Sequence, residues 1–151
     1  MNEDFQKIIE TFPGMMVALV NSEPILKKDF SRLPNRGIYV FYENGRPVYV
    51  GRTNRMRDRL HEHGRISSGH FSATFAFNLA KEDPRAKDVV LSQQRKNLEK
   101  DPLFSKIFSE AKDRVARMEV RTIEIQDPVV QTLFEVYAAL ELKTENLWEN
   151  H

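Results

Sequence analysis

The stretch GIYVFYENGRPVYVG, residues 37–51, decides the fold that we expect of this chain. Aromatic and β-branched residues dominate both of its ends, as is typical of β-strands, and its centre, Glu43–Arg46, has the composition of a turn. Two strands joined by so short a turn pair antiparallel. The stretch is therefore predicted to form a β-hairpin that carries one tyrosine of interest on each strand, Tyr39 and Tyr49.

The length of the turn decides whether these two tyrosines can act together, because successive residues of a strand point to opposite faces. With a two-residue turn of sequence NG, Tyr39 would face Val50 across the hairpin. Tyr49 would then lie on the other face of the sheet. With a three-residue turn that also includes Glu43, the two tyrosines would lie directly opposite each other. We expect the three-residue turn, because a shared site needs both hydroxyl groups on one face.

Outside the hairpin, hydrophobic periodicity and the positions of proline, glycine and capping residues predict mostly helices. The predicted helices cover residues 3–10, 25–33, 54–63, 70–82, 87–99, 102–116 and 128–143. Strict alternation of apolar and polar residues over 118–125 predicts a further strand. The apolar run 15–20, after the helix-breaking pair Pro13-Gly14, is expected to be a strand or a buried turn. The predicted fold class is α+β, with a small three-stranded antiparallel sheet flanked by helices.

Composition excludes several classes of protein. The 151 residues include no cysteine, so a disulfide framework and a thiolate metal site are both excluded. The start of the chain is acidic and no apolar stretch approaches the length of a membrane span, so we expect a cytoplasmic protein without a membrane partner. The net charge is only +1, but residues 32–70 contain eight arginines and three acidic residues. This basic block favours phosphate binding, with a solvated helix face as the alternative.

The basic block runs through the helix predicted after the hairpin. Arg55, Arg59 and His63 share one face of that helix, because residues four apart are one turn apart. We predict that Arg59 binds a phosphate, with His63 near the attacking or leaving oxygen. Arg52 and Arg55 are expected to add to substrate binding. The alternative is that these side chains are solvated or paired with Asp58 and Glu62.

A single carboxylate stands out on the last predicted helix. Glu135 lies among apolar residues, on a helix that is apolar on most sides and is therefore expected to be buried. A buried carboxylate lowers stability unless it is paired or binds a cation. Two roles follow for Glu135: it holds one Mg²⁺ ion whose shell water completes, or it forms an ion pair with an arginine that faces the core.

Together these features resemble the GIY-YIG endonuclease superfamily. The two motifs of the family correspond to Gly37-Ile38-Tyr39 and Tyr49-Val50-Gly51, with valine in place of the usual isoleucine. Arg59 lies ten residues after the second tyrosine, where the family has an essential arginine. His63 follows four residues later, as in some members. Glu135 corresponds to the metal-binding glutamate of the family.

The resemblance implies that the chain hydrolyses a phosphodiester bond in nucleic acid, and DNA is the expected substrate. Tyr39 would orient or deprotonate the attacking water, and Arg59 would stabilise charge on the phosphate. Glu135 would hold Mg²⁺ or Mn²⁺ near the leaving oxygen. Tyr49 and His63 would support positioning or proton movement. The face of the sheet that carries both tyrosines is then expected to look toward Arg59 and Glu135.

The resemblance covers most of the chain, which is expected to be one nuclease-like domain over residues 1–151. Residues 1–34 would be an N-terminal helical extension and residues 64–116 a helical insertion, as in stand-alone or restriction-type members. A late asparagine of the family corresponds to Asn146, which is expected to bind substrate. Cutting both strands with one active site would need a homodimer or rebinding. The alternatives are a non-cleaving nucleic-acid-binding module and a structural domain in which the tyrosines only pack.

Overall fold

Three antiparallel strands form the sheet of this protein. The computed structural model describes residues 1–144, apart from the side chains of Arg95 and Lys96. The strands are β1 (Gly37–Glu43), β2 (Arg46–Thr53) and β3 (Glu119–Glu124), in the order β2-β1-β3. The sheet is open, with β1 in the middle and β2 on one edge. The predicted α+β class and its small antiparallel sheet are confirmed.

Helices make up most of the remaining described chain. They are α1 (Glu3–Glu10), α2 (Phe12–Val20), α3 (Met56–Gly64), α4 (Thr74–Glu82), α5 (Lys87–Ser92), α6 (Arg95–Leu98), α7 (Pro102–Ala116) and α8 (Pro128–Glu141), with 3-10 helices at Lys27–Arg32 and Pro84–Ala86. The region 87–99, predicted as one helix, is thus divided into two. None of the helices in residues 1–144 is long and apolar enough to cross a membrane.

The apolar run near the N-terminus is helical, so its prediction as a strand or a buried turn was wrong. Pro13 lies in the first turn of α2, where a missing backbone N–H removes no helical hydrogen bond. Only Phe12 and Leu19 of this helix are buried, and Val17 is exposed. A continuous apolar run carries no period that separates a strand from a helix, and here the length of nine residues suits the helix.

The chain divides into two compact units. The described part of the first unit comprises residues 1–57 and 119–144, and the second comprises residues 58–118. The boundary falls within α3, and the predicted helical insertion over 64–116 lies within the second unit. The core of the second unit includes α4 and α7, whose aromatic rings meet edge to face, with Phe77 5.5 Å from Phe108 between ring centroids.

One hydrophobic cluster of the first unit lies on one face of the sheet. Ile38, Val40 and Val50 point to this face, where they pack against residues of α2 and α8. The buried members contributed from outside the sheet are Phe12, Leu19, Ile125, Phe134, Ala138 and Ala139. Helix α8 therefore covers the face of the sheet that carries the even-numbered residues of β1.

The register of the hairpin differs from the predicted one. The turn contains two residues, Asn44 and Gly45, whose φ angles of 53° and 79° are typical of a type I′ turn. Val48 is an extra residue on β2 and forms a β-bulge, so that Tyr42 pairs with Pro47 but Phe41 pairs with Tyr49. The expected three-residue turn was therefore wrong. The bulge shifts the register by one residue, and such a shift moves every later side chain of β2 to the other face.

Candidate active site

The bulge brings both tyrosines to the same face of the sheet. Tyr39 pairs with Gly51, and Phe41 pairs with Tyr49, so these residues share the face opposite to Val50. The rings form a row, with centroids 5.8 Å apart from Tyr39 to Phe41 and 6.4 Å apart from Phe41 to Tyr49. The expected shared face is confirmed, whereas the expected direct pairing of the two tyrosines was wrong. They lie diagonally, two residue pairs apart, with the pair Val40–Val50 between them.

Gly51 provides the space for the Tyr39 side chain. A Cβ atom built on Gly51 would lie 2.8 Å from Cε2 of Tyr39, and closer still to its Cζ and hydroxyl oxygen. The tyrosine ring therefore crosses β2 directly over the glycine backbone. This explains physically why a glycine follows the second motif tyrosine and valine. It also places the Tyr39 hydroxyl at the edge strand of the sheet, with the Tyr39 residue only 2% exposed.

The carboxylate of Glu135 approaches the same strand, β2, from the face of the sheet that α8 covers. Glu135 is 3% exposed, and its Oε1 lies 3.9 Å from Nε of Arg52. The position among apolar residues of α8 agrees with the predicted burial. Because α8 covers the face opposite to the tyrosines, the expectation that the tyrosine face looks toward Glu135 was wrong. The two groups approach the strand from opposite faces.

The edge strand nevertheless brings the two groups to neighbouring residues. Tyr39 lies over Gly51, and Glu135 pairs with Arg52, the next residue of β2. At an edge strand, side chains from the two faces can both approach the open side of the sheet. The arrangement can present a phenol hydroxyl, a carboxylate and a guanidinium group around one short stretch of backbone. Arg52 is exposed, so this pair differs from the alternative role considered for Glu135, an ion pair with an arginine that faces the core.

A glutamine that was not predicted from the sequence, Gln131, also lies at this end of the strand. Gln131 is fully buried and lies four residues before Glu135, on the same face of α8. Its Nε2 donates to the carbonyl of Ile125 at 2.6 Å and to Oδ1 of Asn54 at 3.2 Å. Its Oε1 accepts no hydrogen bond from the described residues. The i, i+4 spacing from Glu135 on an apolar helix was the signal that could have found it.

The donor set on α8 suits a hard cation. A carboxylate oxygen from Glu135 and an amide oxygen from Gln131 are both ligands of the type that Mg²⁺ prefers, and Mg²⁺ keeps several waters in its shell. The buried Oε1 of Gln131, which accepts no hydrogen bond from the part of the chain that the structure describes, has a lone pair to offer. No group of three acidic or histidine side chains that could hold a metal occurs among residues 1–144. With Glu135 and Gln131 as ligands, water would complete the shell of the cation.

The remaining predicted site residues fall in different places. The backbone N–H of Arg55 donates to Oγ1 of Thr53 at 2.9 Å, which fixes the chain between β2 and α3. Arg59 and His63 belong to the second unit. Nη1 of Arg59 donates to the carbonyl of Ser72 at 2.7 Å and lies 3.5 Å from a Glu62 carboxylate oxygen.

His63 is completely buried within the second unit. Burial lowers its pKa well below the ordinary value of 6.5, and the charge of Arg59 lowers it further. The imidazole is therefore neutral at pH 7. The predicted roles of Arg59 and His63 at a phosphate stay predictions. Asn146 lies outside the described residues.

No protein-family model matches this chain, and no curated protein or solved structure is significantly similar to it. The likeness to the GIY-YIG superfamily therefore rests on the motif residues themselves. What the site around Gly51 and Arg52 can do is therefore inferred from the geometry of this chain.

Proposed function

We propose that this protein is a divalent-metal-dependent endonuclease that hydrolyses a phosphodiester bond in DNA. The observation that carries the proposal is that Tyr39 lies over Gly51 while Glu135 pairs with Arg52, the next residue of the edge strand, from the opposite face of the sheet. Both side chains are nearly fully buried, and each is a group with a chemical use at a phosphodiester. Phenylalanine in β1 and leucine in α8 at these positions would pack without burying a polar group.

In this proposal Tyr39 orients the attacking water. A phenol hydroxyl both donates and accepts a hydrogen bond, so it can hold a water molecule in line with a phosphorus atom. Its ordinary pKa of about 10 makes it a poor base at neutral pH unless nearby positive charge lowers that pKa. Tyr49, in the same aromatic row, supports the position of Tyr39.

Glu135 and Gln131 are the residues that would hold the cation, Mg²⁺ or Mn²⁺. The bound cation would supply positive charge to stabilise the developing charge on the leaving oxygen. Glu135 provides the charged ligand and Gln131 a neutral one. The ion pair between Glu135 and Arg52 keeps the buried carboxylate compensated when no cation is bound.

Phosphate binding is assigned to arginines. Arg52 and Arg55 flank the end of β2 and can donate to phosphate oxygens. The roles of Arg59 as a phosphate ligand and of His63 as a supporting group are part of the proposal and come from the family resemblance. The same holds for a cytoplasmic location and for a homodimer as the way to cut both strands.

A plasmid-nicking assay tests the proposal. Purified protein is incubated with supercoiled plasmid and Mg²⁺ or Mn²⁺, and the conversion to nicked and linear forms is followed over time. We expect Glu135→Gln and Tyr39→Phe each to slow nicking by about 100-fold or more, the size of effect typical of lost transition-state contacts. Chelation of the metal with EDTA should stop nicking altogether.

Two matched variants control for unspecific effects. Glu141→Gln removes an exposed carboxylate from the same helix, and Tyr42→Phe removes a hydroxyl from the same strand on the other face. Both should nick at the rate of the unchanged protein. Equal nicking by Glu135→Gln and Glu141→Gln would reveal a contaminating nuclease or a wrong assignment of the metal ligand.

The second candidate function is a nucleic-acid-binding module that does not cleave. The ion pair of Glu135 with Arg52 favours it, because a carboxylate that is already compensated needs no cation. This candidate predicts salt-dependent DNA binding without nicking in any divalent metal. Absence of DNA binding at low salt would leave a structural role for the tyrosines.

A further inference from the structure

An irregular loop in the second unit is held by side chains at several points. This loop, residues 65–73, connects α3 to α4 and is called the clamped loop below. Nζ of Lys112 donates to the carbonyls of Ile66 and Ser68, at 2.5 and 2.9 Å. Nη1 of Arg59 donates to the carbonyl of Ser72 at 2.7 Å. Two cationic side chains on helices thus fix three carbonyl groups of the loop.

A third clamp attaches the loop to the segment before α7. Nδ1 of His70 pairs closely with Oε2 of Glu99. The backbone at Gly69 also lies against Glu99, since a Cβ atom built there would be 3.3 Å from its Oε1. Lys112 is only 5% exposed, and burial lowers its pKa below the ordinary value. Nζ of Lys112 also lies 4.1 Å from the centroid of the Phe108 ring. A buried cation is costly unless it is compensated, and the two loop carbonyls provide part of that compensation while the lysine positions the loop.

The clamps hold two apolar side chains in solvent. Phe71 is 81% exposed and Ile66 is 61% exposed. The Phe71 ring contacts the His70 ring, at 4.0 Å between centroids. An exposed phenylalanine is unfavourable in water, and a loop of this kind would normally be free to turn it inward. Here the loop is fixed while the aromatic side chain stays outside, which is the arrangement of a preorganised contact.

The clamped loop is mostly polar, and the one acidic group shown against it, Glu99, is paired with His70. The clamped loop contains no acidic residue, and its Arg65 is exposed. Next to Glu99 in the chain, Asn97 and Lys100 line an open groove of about 720 Å³. Its other lining residues are Ser92, Gln93, Gln94, Asp101 and Pro102. Amide groups and a lysine suit the edges of bases and phosphates. An apolar protein segment would find little to bury on this loop besides Phe71 and Ile66.

We propose that Phe71 stacks on an unpaired base of the nucleic acid, with Arg65 on the adjacent phosphate. The clamped loop holds the ring in place, so the contact costs little conformational entropy on binding. This inference rests on the proposed function in one respect, namely that the ligand is nucleic acid. It adds that the preferred ligand has unstacked bases, such as a single strand, a branch or a mismatch. A stacking platform of this kind is tolerant of sequence.

Binding without cleavage tests this inference. Fluorescein-labelled single-stranded, branched and fully paired oligonucleotides are titrated with the full chain in EDTA, in a Glu135→Gln background. We expect Phe71→Ala to weaken binding of the single-stranded and branched probes by about 5- to 150-fold. Phe71→Trp should restore it. The quenching of a 2-aminopurine base in the probe should be lost in Phe71→Ala and kept in Phe71→Trp.

The dependence of affinity on salt separates stacking from charge. Phe71→Ala should leave the slope of log Kd against log salt unchanged, since it removes no charge. Arg65→Gln should lower the magnitude of that slope by about 0.7 for a single strand. Phe5→Ala removes the same ring from α1, where the side chain is 39% exposed, and should leave binding unchanged. Melting curves verify that Phe71→Ala is folded.

The outcomes of this test and of the nicking assay are independent. Equal binding by Phe71→Ala and the parent overturns the inference, whatever the nuclease result. So does a parent that binds none of the oligonucleotides. A loss of self-association in Phe71→Ala, seen by light scattering at unchanged DNA affinity, also overturns it and assigns the ring to a protein contact. Binding that depends on Phe71 in a protein that never nicks supports the inference and refutes the proposed nuclease.

Discussion

The contact between Tyr39 and Gly51 gives the most direct test of the site geometry. Gly51→Ala adds one methyl group, which would lie 2.8 Å from Cε2 of Tyr39 and closer to Cζ and the hydroxyl oxygen. Carbon atoms in contact are normally about 3.5–4.0 Å apart, so the ring must move by about 1 Å or more. The φ angle of Gly51 is not in the left-handed region. Any cost of the substitution therefore comes from the clash and not from the backbone.

The size of the effect follows from two opposing terms. An extra methyl group in a tightly packed site costs about 1–3 kcal/mol. Alanine also restricts the unfolded chain, which raises the free energy of unfolding by about 0.4–1 kcal/mol. The free energy of unfolding is therefore expected to fall by about 1–2 kcal/mol, measured by urea denaturation with circular dichroism. Nicking should fall by more than the stability loss explains, because the Tyr39 hydroxyl is displaced.

A double-mutant cycle isolates the clash. In a Tyr39→Ala background, the added methyl group meets no ring, and Gly51→Ala should cost at least about 1 kcal/mol less than in the unchanged protein. The matched control is Gly14→Ala in α2, where a built Cβ has no neighbour within 4 Å and no cost is expected. The reasoning is refuted if Gly51→Ala is equally costly with and without the Tyr39 ring.

Three further predictions concern the turn and the second unit. Gly45→Ala places alanine at a φ of 79°. The substitution should lower the free energy of unfolding, measured by urea denaturation, by about 1–2 kcal/mol. An unchanged midpoint of denaturation would contradict the type I′ turn. His63 has a folded-state pKa below its unfolded value, so stability is lost as the pH falls below about 6.5, with a slope of up to ~1.4 kcal/mol per pH unit. His63→Gln should remove that slope between pH 7 and pH 5, and a slope that persists would show that another group causes it. Lys112→Met leaves two buried carbonyls without their donor and should speed hydrogen exchange of residues 65–73 at a stability cost of about 1–3 kcal/mol; unchanged exchange would mean that the lysine does not hold the loop.

Features that depend on neighbouring residues in the chain were predicted well. The pairs Asp101-Pro102 and Asp127-Pro128 start α7 and α8 as expected, and each aspartate accepts hydrogen bonds from backbone N–H groups of its first turn. The alternating stretch around β3 is a strand. Caps and periodicity act within a few residues, so the sequence contains all that they need. The run 15–20 failed because an unbroken apolar run has no period.

Features that depend on contacts between elements were predicted only in part. The burial of Glu135 followed from its apolar neighbours, but the face of the sheet that α8 covers did not. Gln131 was missed, because its role depends on the ends of strands distant in sequence. The clamped loop was missed too, since Lys112 lies more than forty residues from the carbonyls that it binds.

The hairpin over residues 37–51 shows where the boundary lies. The sequence by itself determined that two tyrosine-bearing strands would be joined by a short turn that includes Asn44 and Gly45, because side-chain shape and backbone preference act locally, but it did not determine the length of that turn. Only the tertiary structure decided that both tyrosines share a face, because one bulge at Val48 reverses every later side chain of β2. A bulge is favoured by what packs on both faces of the sheet, and that packing involves residues from the whole first unit.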